Sequence, residues 1–178
     1  DRIVDANLSR VAPVQPQAPT HLMTHVAGPY RMLGIVASTG GPNAIISVLN
    51  SLPTDFPLPI AIVQHITPNF MPSFVTWLSG VTHFKAKAAT HCEVPLPGTV
   101  YVAPANSHLT VRRGLFCLVE GPPVCGQIPA GDCLFETMAA DLGHQALGIL
   151  LTGMGEDGAK GLGSIRKAGG YTVAEDES

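Results

Sequence analysis

Residues 32–52 have the sequence MLGIVASTGGPNAIISVLNSL, which predicts a strand, a glycine-rich turn and a helix in succession. The first part, MLGIVAS, is a short apolar run that ends in small residues, as expected of a buried strand. After the turn, apolar residues recur at helical spacing: Ile45, Val48, Leu49 and Leu52. This segment is therefore one strand–turn–helix unit.

The same unit follows at residues 59–80. PIAIVQH is a β-branched run suited to a strand buried on both faces, and MPSFVTWLSG predicts a short helix. We expect three of its side chains to face inward: Phe74, Trp77 and Leu78. Strands that alternate with helices predict an α/β fold with a parallel sheet.

The middle of the chain, residues 82–119, has a different pattern. TVYVAP, HLTVR and LFCLV are short extended segments separated by Asn, Gly and Pro, which predicts an antiparallel excursion at a sheet edge. Asp132 then starts a helix, CLFETMAADLG, which is followed by the apolar strand ALGILLTG. A helix near GAKGLGSIRKAGG and a strand YTVAED end the pattern.

Composition limits the class of protein. With 178 residues, 46% hydrophobic and 13% charged, the chain predicts one globular domain, and residues 1–30 resemble a linker. A net charge of -3 does not favour binding to a nucleic acid.

The sequence contains no apolar run long enough to span a membrane and no signal-peptide pattern, so we predict a cytoplasmic protein. The four cysteines show no C-x-x-C spacing, and neither a zinc site nor a disulfide framework is predicted.

Polar residues follow three of the predicted strands. Ser38 follows the first, His65 ends the second, and the TGMGEDG loop after ALGIL contains Asp157. Ligands of open parallel sheets bind at the carboxyl ends of the strands. A hydroxyl, an imidazole and a carboxylate at one such edge are the parts of a nucleophile, a base and an orienting acid. Backbone N–H groups after Ser38 and around Met154 are candidate oxyanion donors.

Each residue also has a simpler interpretation. Ser38 and Asp157 precede helices and suit N-caps, while a histidine beside a buried strand is often structural. The glycines of STGG also suit a phosphate- or nucleotide-binding nest. That interpretation has no G-x-x-x-x-G-K-[ST] or full G-x-G-x-x-G pattern to support it, and Val36 stands where the G-x-S-x-G elbow requires glycine.

Several blocks, in order, resemble the CheB chemotaxis protein-glutamate methylesterases. They are GIVASTGGPNAI, PIAIVQHITPNFMPSFVTWLSG, LPGTVYVAPANSHL, GPPV, LFETMA and GILLTGMGEDGAKGL. The resemblance implies a doubly wound α/β domain, which agrees with the predicted order of strands and helices. Together they predict a doubly wound, mostly parallel sheet with helices on both faces and a small antiparallel hairpin. The resemblance also implies a catalytic domain at residues 31–178 that hydrolyses glutamate γ-methyl esters on methyl-accepting chemotaxis receptors, with deamidation of glutamines as a related activity.

The resemblance assigns roles by position. Ser38 is the nucleophile, His65 the base and Asp157 the acid. Thr39 and Met154 match family positions that line the same site, Met154 at the oxyanion site, and the resemblance implies neither a metal nor a cofactor. From the residues themselves, the glycines after Ser38 are further candidates for the oxyanion and substrate site, because they let the backbone approach the substrate closely: Gly40 and Gly41. The implied partners are a membrane receptor as substrate and a receiver domain that family members usually carry before the esterase.

Two departures from the family pattern leave an alternative open. Residues 127–132, QIPAGD, replace a basic segment that usually follows GPPV. The chain also ends at AEDES, where members continue, so we expect a truncated C-terminal end. A catalytically degenerate domain that binds within a chemosensory pathway is the alternative to an active esterase.

Overall fold

The apolar runs at residues 32–37 and 60–64 form strands that are buried on both faces. The structure is a computed structural model that describes residues 30–151 and 155–175. All six residues of β1 (Met32–Ala37) are buried, as are all five of its neighbour, Ile60–Gln64. Because a run without polar alternation has no face for solvent, these strands lie at the centre of the sheet.

The helices and strands alternate along most of the chain. In chain order the elements are β1, α1 (Gly41–Ser51), β2 (Ile60–Gln64), α2 (Met71–Val81), β3 (Lys85–Ala88), β4 (Thr99–Val102), β5 (His108–Arg112), β6 (Leu115–Val119), α3 (Gly131–Leu142), β7 (Ala146–Leu150), α4 (Ala159–Lys167) and β8 (Tyr171–Ala174). Short 3-10 turns lie at Pro68–Phe70 and Gly143–Gln145.

Within the described ranges, six strands form one parallel sheet in the order β3-β4-β2-β1-β7-β8. The chain first runs outward from β1 through β2, and later returns to the other side of β1 with β7. The direction of winding therefore reverses between β1 and β7. At such a switch point the loops after the two strands diverge and leave a crevice for a ligand.

Each face of the sheet has its own core. One core includes the α1 and α2 side chains Ile45, Leu49, Phe74 and Leu78 packed on the sheet. The other is formed by α3, α4 and the β5–β6 hairpin, and it includes Leu109, Phe116, Leu134, Phe135, Met138 and Ile165. The predicted fold class, a doubly wound sheet with helices on both faces and a small antiparallel pair, is confirmed.

Three details of the prediction are wrong, and one of them is the position of the antiparallel hairpin, which forms a separate two-stranded sheet rather than lying at an edge of the main sheet. Thr99–Val102 is no antiparallel strand, because it lies in the main sheet, parallel to β2 and β3. Its apolar pattern does not encode the direction of its neighbours. The antiparallel hairpin is β5–β6 alone, and it packs on α3, where the Val111 N–H donates to Thr137 Oγ1 at 3.0 Å.

Trp77, which the sequence predicts to face inward, is 40% exposed. Helix α2 is buried through Phe74 and Leu78, which stand one turn apart. Trp77 lies at the margin of this stripe, with its ring centroid 6.1 Å from that of Phe74.

In the part of the chain that the structure describes, no helix has the length and apolar character needed to cross a membrane.

Candidate active site

Ser38 and His65 leave neighbouring strands at the same level. The last registered pair of β1 and β2 is Ala37 with Gln64, and the His65 N–H extends the ladder by donating to the Ala37 carbonyl at 3.0 Å. Since paired strands lie about 4.8 Å apart, the next residue on each strand is a close neighbour of the other. The ladder therefore brings Ser38 beside His65 at the carboxyl edge of the sheet.

The side chain of Gln64 joins the backbones of these two residues. Its Nε2 donates to the Ser38 carbonyl at 2.9 Å and to the His65 carbonyl at 3.1 Å. The residue is only 4% exposed. Sequence reasoning gave Gln64 no role of its own, although a polar residue that ends a fully buried strand is a signal of a specific contact.

The turn after Ser38 is made by glycine backbone rather than by a side-chain cap. The N-cap of α1 is Gly40, which has a φ of 78° and no side-chain capping bond. The interpretation of Ser38 as a helix cap is therefore wrong. Its carbonyl accepts from the Gly41 N–H at 2.9 Å, so this N–H is not available to an anion as the nest hypothesis requires.

The residues of this turn differ in exposure. Ser38 is partly buried, Thr39 and Gly40 are exposed, and Gly41 is buried. A Cβ at Gly41 would overlap Gln64 Oε1, so only glycine leaves room for the Gln64 amide. Thr39 and Gly40 thus lie at the surface of the site, while Gly41 lies beneath it.

His65 is bonded directly to Asp157. The distance between His65 Nε2 and Asp157 Oδ2 is 2.8 Å, although 92 positions separate the residues in the chain. The two side chains are 11% and 4% exposed. The other imidazole nitrogen, Nδ1, is buried and has no hydrogen-bond partner among the described residues, so the Ser38 hydroxyl is not bonded to it in this structure.

Asp157 does not cap the helix that follows it. The N-cap of α4 is Gly158, without a side-chain capping bond. The Asp157 carboxylate instead accepts from the start of α3, with the Gly131 N–H at 2.6 Å and the Asp132 N–H at 3.0 Å. Burial alone would raise the pKa of Asp157, but the hydrogen bonds from His65, Asp132 and Gly131 together hold that pKa below its usual value.

Asp132 makes the reciprocal contact. It is 3% exposed, and its Oδ1 accepts from the Gly158 N–H at 3.1 Å and the Gly161 N–H at 2.7 Å, at the start of α4. Each carboxylate therefore binds the N-terminus of the other's helix, where the helix dipole favours negative charge. Sequence reasoning placed Asp132 only as the start of a helix.

One group of side chains in residues 30–151 and 155–175 has the spacing of metal ligands. One atom each of Cys125, Asp132 and Asp157 lies within 4.8 Å of the others. Asp132 Oδ2 is 3.7 Å from Cys125 Sγ, and the other carboxylate oxygens already accept the N–H bonds given above. Because the protein's own donors occupy these oxygens, we assign no metal ion to this group.

The predicted site residues are thus brought together in part. His65 and Asp157 form a hydrogen-bonded pair, Ser38 is adjacent to His65 through the strand register, and Thr39, Gly40 and Gly41 form the turn beside them. Met154 lies outside the described residues. The arrangement provides a hydroxyl, an imidazole with one unbonded nitrogen, and a fixed carboxylate, which are the groups that a serine hydrolase uses.

Comparison with known proteins finds the same family throughout. The family model described as CheB methylesterase matches residues 33–178. A protein-glutamate methylesterase/protein-glutamine glutaminase of Paramagnetospirillum magneticum is 50% identical over 151 residues, which cover 85% of this chain and 43% of that protein. The protein-glutamate methylesterase FrzG of Myxococcus xanthus is 44% identical, over 84% of this chain and 45% of that protein.

A solved structure agrees with these matches. The crystal structure of the Thermotoga maritima CheB methylesterase catalytic domain superposes with a TM-score of 0.79 at 33% identity, over 84% of this chain and 81% of that one. The chain spans less than half the length of the two curated relatives.

Proposed function

The chain belongs to the CheB methylesterase family, and on that premise we propose that it hydrolyses glutamate γ-methyl esters on methyl-accepting chemotaxis receptors. The observation that carries this proposal is the buried His65–Asp157 hydrogen bond beside Ser38 at the switch point of the sheet. Two relatives bear the name protein-glutamate methylesterase, and the first is also named a glutaminase. Deamidation of receptor glutamines is therefore included in the proposal.

The hydrogen bonds of His65 define which nitrogen serves as the base. When Nε2 carries the proton and donates to Asp157, Nδ1 has the lone pair that accepts a proton. The Ser38 hydroxyl turns to Nδ1, transfers its proton and attacks the ester carbonyl carbon. Asp157 then stabilises the imidazolium, and the N–H groups of Gly131 and Asp132 keep its carboxylate ionised and in place.

The rest of the reaction follows from proton balance. The tetrahedral intermediate collapses when the bond from the carbonyl carbon to the methoxy oxygen breaks, and His65 returns the proton so that methanol leaves. Water, activated by the same imidazole, hydrolyses the resulting acyl-Ser38 to a glutamate carboxylate. For a glutamine the leaving group is ammonia.

Backbone N–H groups of the Ser38 turn stabilise the oxyanion in this proposal, and Met154 contributes as the family resemblance implies. Gly41 contributes space rather than a donor, because its N–H is bonded to the Ser38 carbonyl. Exposure of Thr39 and Gly40 leaves this side of the turn open to a side chain that projects from a receptor helix.

Two further parts of the proposal concern context. A cytoplasmic location is predicted from the sequence, and a receiver domain is the regulatory partner that the family resemblance implies. Both stay predictions for this chain.

Methanol release from methylated receptor membranes tests the proposal. Wild type should release methanol, and Ser38→Ala should reduce the rate by roughly 10⁶-fold while changing the free energy of unfolding by less than about 0.5 kcal/mol. Ser47→Ala is the matched control, since this exposed serine in α1 bonds only its own helix, at the Asn43 carbonyl.

Labelling with a serine-directed phosphonate separates esterase from binding module. An active esterase is labelled in wild type and Ser47→Ala and not in Ser38→Ala. A folded wild type that takes no label and releases no methanol would refute the esterase and favour the degenerate binding domain.

A further inference from the structure

Two buried carboxylates exchange their backbone partners between α3 and α4. Asp157 precedes α4 and binds the first N–H groups of α3, whereas Asp132 lies in the first turn of α3 and binds N–H groups at the start of α4. An aspartate at a helix start ordinarily caps its own helix. Because each carboxylate binds the start of the other helix, the N-termini of α3 and α4 are connected. Two aspartates that capped their own helices would not connect them.

We propose that Asp132 is a positioning residue for the proposed esterase, holding Asp157 in register with His65. The inference rests on the proposed function and deepens it. The Gly158 N–H that Asp132 binds belongs to the peptide bond immediately after Asp157. This hydrogen bond restricts the orientation of the peptide and, with it, the direction in which the Asp157 side chain leaves the backbone.

Helices α3 and α4 approach each other closely, which restricts movement of the groups that Asp132 binds. A Cβ at Gly161 would stand 2.6 Å from Phe135 Cβ and 3.1 Å from Asp132 Cα, so glycine is required where α4 meets α3. Gly158 has a φ of 95°, which also favours glycine. The start of α4 is therefore confined by backbone geometry as well as by Asp132.

The titratable groups around Asp132 come from several elements. Asp157 and Cys125 have atoms within 4.8 Å of it, Cys133 is its chain neighbour, and Lys160 of α4 pairs with Glu136. Two buried carboxylates so close together repel each other, and the N-termini of α3 and α4 offset the repulsion.

Three substitutions at Asp132 separate position from charge. Asp132→Ala removes the acceptor and should lower kcat roughly 10- to 100-fold, with KM within about threefold, because the Asp157–His65 geometry loosens. Asp132→Asn keeps an oxygen in the same place and should retain kcat within about threefold, whereas Asp132→Glu keeps the charge but displaces it and should lose at least about tenfold.

Glu136→Ala is the matched control. It breaks the 2.8 Å ion pair with Lys160, which also links α3 to α4, but touches neither Asp157 nor its loop. We expect wild-type kcat and KM. Thermal unfolding of each variant shows that activities are compared between folded proteins, and the Asn and Glu variants decide the question if Asp132→Ala does not fold.

Proton NMR of the His65 ring provides a readout that does not depend on catalysis. The Nε2–H signal of the bond to Asp157 should be present at low field in wild type, Asp132→Asn and Glu136→Ala, and lost in Asp132→Glu and in any folded Asp132→Ala. If wild type releases no methanol but this pattern holds, the proposed function fails and the positioning role stands. A folded Asp132→Ala with an intact signal and wild-type kcat, or Asp132→Glu more active than Asp132→Asn, would overturn the positioning role.

Discussion

The two halves of the site are held in place by different kinds of contact. Ser38 and His65 continue neighbouring strands, so a repeating main-chain ladder sets their separation, and the Gln64 amide adds a clamp. The Asp157 carboxylate is held by hydrogen bonds from two backbone N–H groups at the start of α3, and these bonds are not part of a repeating ladder. The half that contains Ser38 and His65, the ladder half, is fixed by many equivalent main-chain hydrogen bonds. The half that contains Asp157, the acid half, depends on a few particular hydrogen bonds, so a substitution should disturb its geometry more easily.

The largest expected effect is on activity, and it distinguishes the role of Asp157 from that of Ser38. Asp157→Ala should lower kcat/KM by roughly 10⁴-fold, less than the roughly 10⁶-fold loss for Ser38→Ala, because oxyanion stabilisation and the imidazole persist without the acid. Initial rates of methanol release measure both. Equal losses in two folded variants would contradict the division of roles.

Crowding the ladder half should cost stability. Gly41→Ala places a methyl group against Gln64 Oε1 and 2.7 Å from Ala37 Cβ, and should lower the free energy of unfolding by about 1 to 3 kcal/mol. Gly80→Ala in α2 is the control, since a Cβ there meets no atom within 4 Å, and should raise stability by up to about 1 kcal/mol. Urea unfolding measures both, and equal effects would show that packing at Gly41 is not tight.

Removing the clamp should have a smaller effect on stability. Gln64→Met leaves the Ser38 and His65 carbonyls without this donor, which should cost about 1 to 2 kcal/mol of unfolding free energy and roughly tenfold in kcat. Urea unfolding and steady-state rates check the two parts. A variant with lower stability but unchanged kcat would show that the ladder alone positions the pair.

The smallest expected effect is the pH dependence of stability that comes from Asp157. Since its pKa is lowered in the folded protein, its contribution is complete above the ordinary value of 3.8 and is lost as the pH falls below that value through the folded-state pKa. Urea unfolding between about pH 5 and pH 2 should show a steeper loss for wild type than for Asp157→Asn. Parallel pH curves would mean that the Asp157 carboxylate is not stabilised by folding.

Much of the ladder half could be predicted from the sequence. Apolar runs without alternation identify the central strands, and the polar residues that end them, Ser38 and His65, mark the carboxyl edge. The role of Asp132 could not be predicted, because nothing local distinguishes an aspartate that caps its own helix from one that caps another. The outward position of Trp77 was missed for a related reason, since helical spacing defines a stripe but not its width.

The order of the amino acids alone determined most of the strands and helices, because periodicity and turn residues act locally, but it did not indicate β3 (Lys85–Ala88). Its motif blocks pointed to the family. Tertiary structure decided the rest: that β4 joins the parallel sheet, that Asp157 binds Nε2 of His65, and that the two aspartates exchange helix starts. Such contacts join positions far apart in the chain. They form only when the packed layers bring donor and acceptor within about 3 Å, a condition that depends on every intervening element.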